Sequence, residues 1–404
     1  MKNKKIIYKN TIHKKYLNSK VIKKLNNEFK ENIKIIINNL DEVKNVFHSL
    51  SKKYKFNFKT KDINKFKKYK TIVIIGMGGS ILGSEAIYFF LKEKIKKNFL
   101  FLNDIDENKI RSLKKKNLSK LLFVIISKSG NTIETLSNFL ALKIVKKNSK
   151  NIIIISEKNK NSLYSLSQKM NIKHIEHKDY IGGRYSVLSE VGIVPAHLMG
   201  LNINKLRQNI ISHFKARRNK FLRDSTTKLA NLFIKKKIRN IILFNYAPKL
   251  DKFLCWNQQL IAESLGKKGK GFLPIISKAP KDHHSLLQLY LDGPRDKIFY
   301  IFSVDDNSST KINSKILDKE QNFLNNKSLN QIKIAQKNSF IKVLKKNKIP
   351  FREFKIRHAN EQSLGELFSY FILETAIIGK LTGINPFDQP AVEQVKTITK
   401  KLLA

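Results

Sequence analysis

The sequence predicts an α/β protein with two doubly wound α/β/α sandwich domains, each built on a parallel sheet, and with additional helices at both ends. Apolar runs bounded by turn residues recur at intervals of about 25 residues, and segments with helical spacing separate them. Such runs are typical of strands that are buried on both faces of a parallel sheet. With 404 residues, the chain is also long enough for two domains that each bury a core.

The predicted elements divide the chain into four parts. Residues 1–69 contain no glycine and no strand-like apolar run, so we expect an N-terminal helical extension. A first domain over 70–200 contains the runs TIVIIG, NFLFLND, LLFVIIS, NIIIIS and NIKHIEH. A second domain over 201–358 begins with a helical stretch and contains the runs NIILFNY, GFLPIIS, KIFYIFS and PFREFKI. Residues 359–404 are predicted to form helices, interrupted by GINPFDQP, that complete the active site.

The formal net charge of +49 raises the question of a nucleic-acid partner. The lysines, however, are scattered from end to end and alternate with asparagine and isoleucine. Nucleic-acid-binding proteins usually concentrate basic residues on one element and interleave aromatic ones, so we expect no nucleic-acid partner here. An apolar fraction of 41% with 27% charged residues indicates a globular enzyme or binding protein.

The cysteine content and the hydropathy pattern indicate the compartment. The single cysteine, Cys255, cannot form an internal disulfide bond, which fits a reducing compartment. No apolar stretch suits a signal peptide or reaches membrane-spanning length. We therefore expect a cytoplasmic protein without a membrane partner.

A hydroxyl-rich loop, SKSGNTIET, follows the run LLFVII at the point where a parallel strand passes into a helix. Open α/β sheets bind ligands at this edge. Gly130 allows a tight turn, Ser127, Ser129 and Thr132 add hydroxyl donors, and the first N–H groups of the helix can bind an anion. The alternative is a simple helix cap, but capping needs only one such residue. The loop therefore predicts a site for a single phosphate or sulfate group.

Two glycine-rich stretches are further candidates for ligand contact. GMGGSILG follows the first strand, but Ile81 stands where a dinucleotide fingerprint needs glycine, so a nucleotide cofactor is not favoured. Its Gly79 and Ser80 instead allow the backbone to approach a ligand, and a plain tight turn is the alternative. GGRYS places Gly183 and Arg184 between the domains. The guanidinium there would either stabilise an anion formed during a reaction or bond to carbonyl groups of an interdomain loop.

Two helical stretches carry side chains suited to proton transfer. In CWNQQLIAESLGK, helical spacing places Gln259 and Glu263 on one face, and the carboxylate is a candidate general base. KDHHSLLQ offers His283 and His284, one of which could move protons. Adjacent histidines on a helix point in different directions, which argues against a shared metal ion. The alternative for each of these groups is an ordinary solvated side chain.

The last candidate stretch, FDQPAVEQVK, carries Gln389 and Lys396 two helical turns apart on one face. Both side chains can therefore point into the same cleft. In a chain this rich in lysine, a surface position is the alternative for Lys396.

The order of these motifs along the chain resembles the glucose-6-phosphate isomerase family. The resemblance runs from around residue 71 to the C-terminus, through GMGGSILG, SKSGNTIET, GGRYSVLSEVGIVPA, QQLIAESLGKKG, HHSLLQLYLDG and NPFDQPAVEQVK. It implies two sugar-isomerase (SIS) domains and a homodimer with active sites at the interface. It also implies interconversion of glucose 6-phosphate and fructose 6-phosphate without a metal ion or organic cofactor.

The resemblance also implies roles for single residues. In the catalytic set, Arg184 stabilises the enediolate intermediate and Glu263 moves the proton between carbons 1 and 2. His284, which reaches the site from the partner subunit, opens the sugar ring together with Lys396. The implied substrate-binding residues are Gly79, Ser80, Ser127, Lys128, Ser129, Thr132, Gly183, Gln259 and Gln389.

Two alternative functions share part of this pattern. A dual-specificity isomerase of the same superfamily, which also accepts mannose 6-phosphate, would carry the same hydroxyl-rich loop. A non-catalytic sugar-phosphate sensor would need the loop but not Glu263, His284 and Lys396 together. Ala391 and Val395 replace glycines of the family's last motif, which bears on the placement of Lys396.

Overall fold

The computed structural model describes residues 5–305 and 310–404, except for the side chains of residues 216–218. Its strands are β1 Ile6–Thr11, β2 Thr71–Gly76, β3 Asn98–Leu102, β4 Leu121–Ile126, β5 Ile152–Ser156, β6 Lys173–Glu176, β7 Asn240–Asn245, β8 Leu273–Lys278, β9 Lys297–Val304 and β10 Phe351–Ile356. Its helices are α1 Ser19–Asn38, α2 Thr60–Asn64, α3 Leu82–Phe90, α4 Glu107–Lys114, α5 Ile133–Ala141, α6 Ser162–Lys169, α7 Glu190–Leu198, α8 Ile203–Arg207, α9 Ala216–Lys235, α10 Asp251–Leu265, α11 Leu287–Asp292, α12 Leu329–Lys346, α13 Glu361–Leu381 and α14 Ala391–Leu403.

The strands form two five-stranded sheets, with the orders β3-β2-β4-β5-β6 and β8-β7-β9-β10-β1. All neighbours in the first sheet are parallel, and so are β7 to β10 in the second. Each apolar run quoted above coincides with one of the strands β2 to β10. The predicted α/β fold class with parallel-sheet cores is therefore confirmed.

Each sheet has helices on both faces because successive strand residues point to opposite sides. In β2, Ile72 and Ile74 belong to the largest apolar cluster, which also contains residues of the second sheet and of α3, α7, α10 and α13. Val73 and Ile75 belong to a separate cluster that includes Phe139 of α5. Both faces of the strand are thus fully buried, which explains its unbroken apolar run.

The second sheet follows the same plan. In β7, Ile241 and Leu243 face the shared cluster, whereas Ile242 and Phe244 face a third cluster that includes Phe340 of α12. The helix α13 is almost completely buried, because it lies within the cluster that the two sheets share. The two sheets are therefore packed through a common apolar interior.

The N-terminal part differs from the expectation of a purely helical extension over 1–69. Ile6–Thr11 forms β1, which pairs antiparallel with β10, with Ile6 opposite Ile356. As an edge strand, β1 is only half-buried along most of its length and needs no long apolar run, so the hydropathy pattern does not reveal it. The second sheet is consequently mixed rather than purely parallel. The helices α1 and α2 agree with the expectation.

Two searches of the described residues were negative. None of the helices that the structure describes is long and apolar enough to cross a membrane. No group of three or more histidine, cysteine, aspartate or glutamate side chains in the same residues could hold a metal ion.

Candidate active site

The hydroxyl loop (residues 127–132) and the glycine loop (residues 77–80) leave the same edge of the first sheet. β2 and β4 are parallel neighbours, and Gly76 at the end of one lies opposite Ile126 at the end of the other. A Cβ atom on Gly76 would lie 2.8 Å from the carbonyl oxygen of Ile126, so glycine permits this close approach. Ser80 is buried at this edge. The two loops therefore border one carboxyl edge, where parallel sheets bind ligands.

The hydroxyl groups of the hydroxyl loop are not used to cap the helix that follows. Thr132 is the N-cap residue of α5, yet its side chain makes no capping hydrogen bond. Its hydroxyl instead lies 2.9 Å from the hydroxyl of Ser127, which is buried. Ser129 is exposed, and its oxygen accepts a hydrogen bond from the Asn131 N–H at 3.3 Å. The capping alternative therefore does not hold for Thr132, and the anion site stays a prediction.

The shape of the hydroxyl loop depends on Gly130, which has a φ of 64°. A Cβ atom there would lie 1.8 Å from the side-chain oxygen of Asn161, which caps α6. Lys128 donates to the carbonyl oxygen of Asp179 at 2.6 Å and lies 3.6 Å from the carboxylate of Glu157. The ammonium of Lys128 is therefore bound to groups outside the hydroxyl loop, and the rest of the loop offers hydroxyl and N–H donors.

The glycine loop contacts both of the next two predicted site motifs. A Cβ atom on Gly79 would lie 2.3 Å from the carbonyl carbon of Gly183 and 2.6 Å from the nitrogen of Arg184. Gly78 has a φ of 52°, and a Cβ atom there would lie 2.8 Å from Nε2 of Gln259. Glycine is required at both positions because neighbouring elements approach the backbone too closely for a side chain. The loop thus joins the first sheet to α10.

Arg184, in the GGR turn (Gly183–Leu188), is buried and fully bonded. Its Nε donates to Ser264 Oγ at 2.8 Å, and one terminal nitrogen donates to Gln389 Oε1 at 2.8 Å. The other donates to two carbonyl oxygens of residues 386–388 at 2.6 and 3.0 Å. The guanidinium also lies 3.4 Å from the carboxylate of Glu263. The interpretation that this arginine bonds to carbonyl groups therefore applies, and its role beside a reaction intermediate stays a prediction.

Glu263 lies on α10 between an amide and a guanidinium. Gln259, one turn earlier, donates to Oε2 of Glu263 at 3.0 Å, and Arg184 lies beside Oε1. The Glu263 side chain is 22% exposed, so it is accessible although most of its helix is buried. Gln259 Oε1 is buried and has no hydrogen-bond partner within the part of the chain that the structure describes. A carboxylate held in this way is suited to accept and return a proton.

Two residues that the sequence patterns did not single out, Tyr185 and Lys267, hold the loop 385–389 in place, and a third, Ser264, bonds to the first of them. Tyr185 donates to a carbonyl group of this loop at 2.8 Å, and its hydroxyl lies 2.9 Å from that of Ser264. Lys267 donates to two carbonyl groups of the loop at 2.5 and 2.6 Å and to the carboxylate of Asp388 at 2.6 Å. This hydrogen bond lowers the pKa of Asp388 below its ordinary value. Tyr185 and Ser264 each directly follow a predicted site residue, and that adjacency was the available signal.

A segment of the N-terminal part, residues 47–57, packs against these elements. The ring of Phe47 lies 5.7 Å from that of Phe387, centroid to centroid. Tyr54 donates to the buried carboxylate of Glu190 at 2.6 Å, and a backbone N–H of the same segment donates to its other oxygen at 2.8 Å. Glu190 begins α7, just after the GGR turn. The segment thereby supports the turn that carries the buried arginine.

The single chain does not bring His284 or Lys396 to the carboxylate of Glu263. His284 is exposed, whereas its neighbour His283 is stacked on an aromatic ring of the second sheet at 5.6 Å between centroids. Lys396 lies on α14, which buries none of its residues, and its ammonium lies 2.7 Å from the carboxylate of Glu393. Over residues 5–305 and 310–404, no hydrogen bond or ion pair joins either side chain to the site.

Comparison with known proteins gives consistent matches. The family model for phosphoglucose isomerase matches residues 21–404. The chain is 34% identical over 358 residues to a probable glucose-6-phosphate isomerase of Methanococcus maripaludis, covering 85% of this chain and 81% of that protein. It is 33% identical over 352 residues to a glucose-6-phosphate isomerase of Methanocaldococcus jannaschii, covering 85% of this chain and 87% of that protein.

Solved structures match in fold. A hypothetical protein from Thermus thermophilus has a TM-score of 0.82 at 22% identity, covering 98% of this chain and all of that one. A glucose-6-phosphate isomerase from Chlamydia trachomatis has a TM-score of 0.77 at 18% identity, covering 99% of this chain and 88% of that one. The structural likeness supports the fold, and the family match spans nearly the whole chain. The chain belongs to the phosphoglucose isomerase family.

Proposed function

We propose that this protein interconverts glucose 6-phosphate and fructose 6-phosphate, and that Glu263 moves the proton between carbons 1 and 2. Membership of the phosphoglucose isomerase family supports the reaction. The observation that supports the role of Glu263 is its position 3.4 Å from the buried guanidinium of Arg184, on a helix that contacts the glycine loop. The carboxylate acts first as base and then as acid, so that one group serves both carbons.

The phosphate group is bound away from the reacting carbons. Ser127, Ser129 and Thr132 donate from the hydroxyl loop, and Lys128 adds positive charge beside it. Gly79 and Ser80 form the adjoining wall, since the glycine loop leaves the neighbouring strand. Because the phosphate group is held away from the reacting carbons, it fixes the position of the sugar relative to the carboxylate of Glu263 and lowers the entropic cost of the reaction.

The enediolate intermediate carries negative charge that the site must stabilise. Arg184 supplies a guanidinium that stays charged and is already oriented by its bonds to Ser264 and Gln389. Gly183 lies against the glycine loop, because Gly79 has no Cβ atom that would clash with its carbonyl group. Gln259 orients the carboxylate of Glu263 through the hydrogen bond at 3.0 Å. The charge is thus stabilised by groups that need little reorganisation.

Ring opening requires an acid and a base, which we assign to His284 and Lys396 in a homodimer. His284 is exposed and its neighbour His283 is packed into the second sheet, so His284 is the one available to a partner subunit. Lys396 lies on a helix with an apolar side that the single chain leaves uncovered, including Val395 and Ile398. A second copy that covers this helix would bring both groups toward the site.

The domain division and the compartment remain part of the proposal. The two sheets support domains over 70–200 and 201–358. The single cysteine suits a reducing compartment, and we place the reaction in the cytoplasm, where phosphorylated sugars are metabolised.

Replacing Glu263 with glutamine tests the proposal directly. Glu263→Gln should lower kcat for fructose 6-phosphate by about 10²- to 10⁴-fold, because the amide cannot exchange the proton. Binding of a non-reacting sugar-phosphate analogue should change little. Glu320→Gln, which alters an exposed glutamate, is the matched control and should keep wild-type kcat. A Glu263→Gln enzyme with most of its activity would remove this residue as the base.

The same variant tests the assignment of His284 to the partner subunit. Glu263→Gln and His284→Ala dimers should each be inactive, but mixed dimers should regain activity, because one of their two sites then has both original groups. No regain after mixing would place His284 in its own subunit's site or outside it.

A second assay, with mannose 6-phosphate as the substrate of the wild-type enzyme, decides whether the enzyme has dual specificity.

A further inference from the structure

A small polar cavity lies at the carboxyl edge of the second sheet, away from the residues assigned to isomerisation. Its volume is about 180 Å³, which is room for several water molecules or one small anion. Its walls come from the ends of β9 and β7, from β10 and β1, and from the first half of α12. No residue of the proposed isomerase site lines it.

The cavity is bordered by a buried cation that forms no ion pair with any of the described residues. Lys337 on α12 is only 5% exposed, and its ammonium donates to Ser303 Oγ at 3.3 Å. No carboxylate oxygen lies within 4.0 Å of that ammonium in the described part of the chain. Burial lowers the pKa of Lys337, because the charged form loses its hydration. A buried ammonium with a single long hydrogen bond to a hydroxyl is costly unless something else pairs with it.

The two carboxylates around the cavity, Glu353 and Asp305, act on Lys337 only at longer range and form their ion pairs with other lysines. Glu353 pairs with Lys9 at 3.3 Å, and Asp305 pairs with Lys355 at 3.0 Å. Lys333, half-buried, lies one helical turn before Lys337, and two like charges at this spacing repel each other. The lining residues therefore have two more positive than negative groups.

The position of the cavity in the fold corresponds to that of the hydroxyl loop. In the first sheet, β4 lies beside β2 and leads through the hydroxyl loop into α5, which packs on the outer face. In the second sheet, β9 lies beside β7 and is followed by α12, which also packs on the outer face. Such edges are the usual ligand sites of open parallel sheets.

We propose that this cavity is a second anion site, which takes a phosphate-type oxyanion, either as inorganic phosphate or as the phosphoryl group of a small metabolite. Lys337 and Lys333 supply the charge, and the hydroxyl of Ser303 supplies a further donor. An oxyanion between the two ammonium groups neutralises the buried cation and removes their repulsion. The volume excludes a sugar phosphate bound in full.

Calorimetric titration with inorganic phosphate tests the proposal. The wild-type enzyme should bind two phosphate ions per chain, one at the hydroxyl loop and one in the cavity. Lys337→Met, which keeps an unbranched apolar stem, should weaken only the binding of the ion in the cavity, and should raise its dissociation constant by at least about tenfold. Ser129→Ala with Thr132→Ala should weaken only the binding of the ion at the hydroxyl loop. Lys342→Met, which removes an exposed lysine of the same helix that does not line the cavity, should leave both ions bound.

The proposal is overturned if Lys337→Met weakens no phosphate ion, whether the wild-type enzyme binds none, one or two. A single ion that Lys337→Met weakens, and that Ser129→Ala with Thr132→Ala leaves bound, would support the cavity and would instead remove the hydroxyl loop as the phosphate site. If Lys337→Met does not fold, Lys333→Met replaces the other lysine of the helix that lines the cavity, and phosphate binding is compared in the same way. Titration with glycerol 3-phosphate in place of inorganic phosphate distinguishes the two kinds of ligand, the phosphoryl group of a metabolite and the free ion. Binding of glycerol 3-phosphate in the cavity would support a phosphorylated metabolite, and its failure to bind there alongside retained phosphate binding would support the free ion.

Discussion

The carboxyl edges of the two sheets occupy equivalent positions but offer different chemistry to an anion. At the first edge, Ser127 and Thr132 present hydroxyl groups 2.9 Å apart, and the nearby Lys128 is already bound to a carbonyl group. At the second edge, Lys333 and Lys337 present positive charge, beside the hydroxyl of Ser303 and two carboxylates that are paired with other lysines. Neutral donors bind a phosphate group through geometry and release it readily, whereas ammonium groups attract any oxyanion. The fold provides the position, and the side chains decide what is bound.

The two edges also differ in what they are joined to. The glycine loop brings the first edge against α10, so that a carboxylate from the second half of the chain lies near a loop of the first. The second edge is bordered by β1 and α12 and contacts no comparable carboxylate and guanidinium pair in the described residues. This difference explains why we place the reaction at one edge only.

Among the substitutions that follow, the largest expected effect comes from replacing the guanidinium of Arg184 at the first edge. Arg184→Lys should lower kcat by about 10²- to 10³-fold, because a lysine ammonium cannot reproduce the fixed guanidinium plane beside Glu263. Steady-state kinetics with fructose 6-phosphate measures this, with KM expected to change much less. Arg111→Lys, an exposed arginine paired with Glu107, is the control. A kcat within a few-fold of wild type would mean that Arg184 only holds the loop 385–389.

The next effect concerns the stability of the protein in acid and comes from a buried histidine that follows a strand of the first sheet. His177 follows β6 and is buried, which lowers its pKa from 6.5 to about 4. The unfolded chain takes up the proton first, so this group's contribution is intact above pH 6.5 and is lost as the pH falls toward about 4. The loss should be on the order of 3 kcal/mol. Urea unfolding at a series of pH values measures it.

A variant without the titrating group sharpens that measurement. His177→Gln should flatten the decline in the free energy of unfolding between pH 6.5 and 4, whereas His13→Gln, at an exposed position, should leave the slope unchanged. An identical slope in His177→Gln would show that other groups cause the acid sensitivity.

The smallest effect separates phosphate recognition from catalysis. Ser129→Ala with Thr132→Ala should raise KM by about tenfold or more, since each lost hydrogen bond costs roughly 1 kcal/mol. The free energy of unfolding should fall by about 1 to 2 kcal/mol, because Thr132 makes no capping bond but its hydroxyl bonds to that of the buried Ser127. Ser119→Ala, at an exposed serine outside the loop, is the control. An unchanged KM would mean that the phosphate group binds elsewhere.

Strands buried on both faces are the part of the fold that hydropathy predicts best. LLFVII and NIIIIS are apolar throughout because helices cover both sides, and they became β4 and β5. IIYKNT has no such run, since an edge strand faces the interior with alternate residues only, and β1 was missed. Its pairing with β10 is set by contacts distant in sequence, which local patterns do not contain.

The candidate site was partly predictable for a similar reason. Loops that follow buried strands bind ligands by position, so the hydroxyl and glycine loops could be singled out from order alone. Lys267 could not, because it is one of 80 lysine and arginine residues and only its bonds to the loop 385–389 distinguish it. Tyr54 and Glu190 lie far apart in the chain, and their hydrogen bond links an N-terminal segment to the GGR turn.

The antiparallel strand β1 has a consequence for how the chain reaches its native state. Ile6 pairs with Ile356, so β1 is synthesised early but cannot pair with β10 until almost all of the remaining chain has left the ribosome. The first sheet pairs only segments between residues 71 and 176 and can assemble much sooner. Until then, β1 has no partner and is open to pairing with strands of other chains. Truncation before residue 12 would instead leave the edge of β10 permanently unpaired and should promote aggregation.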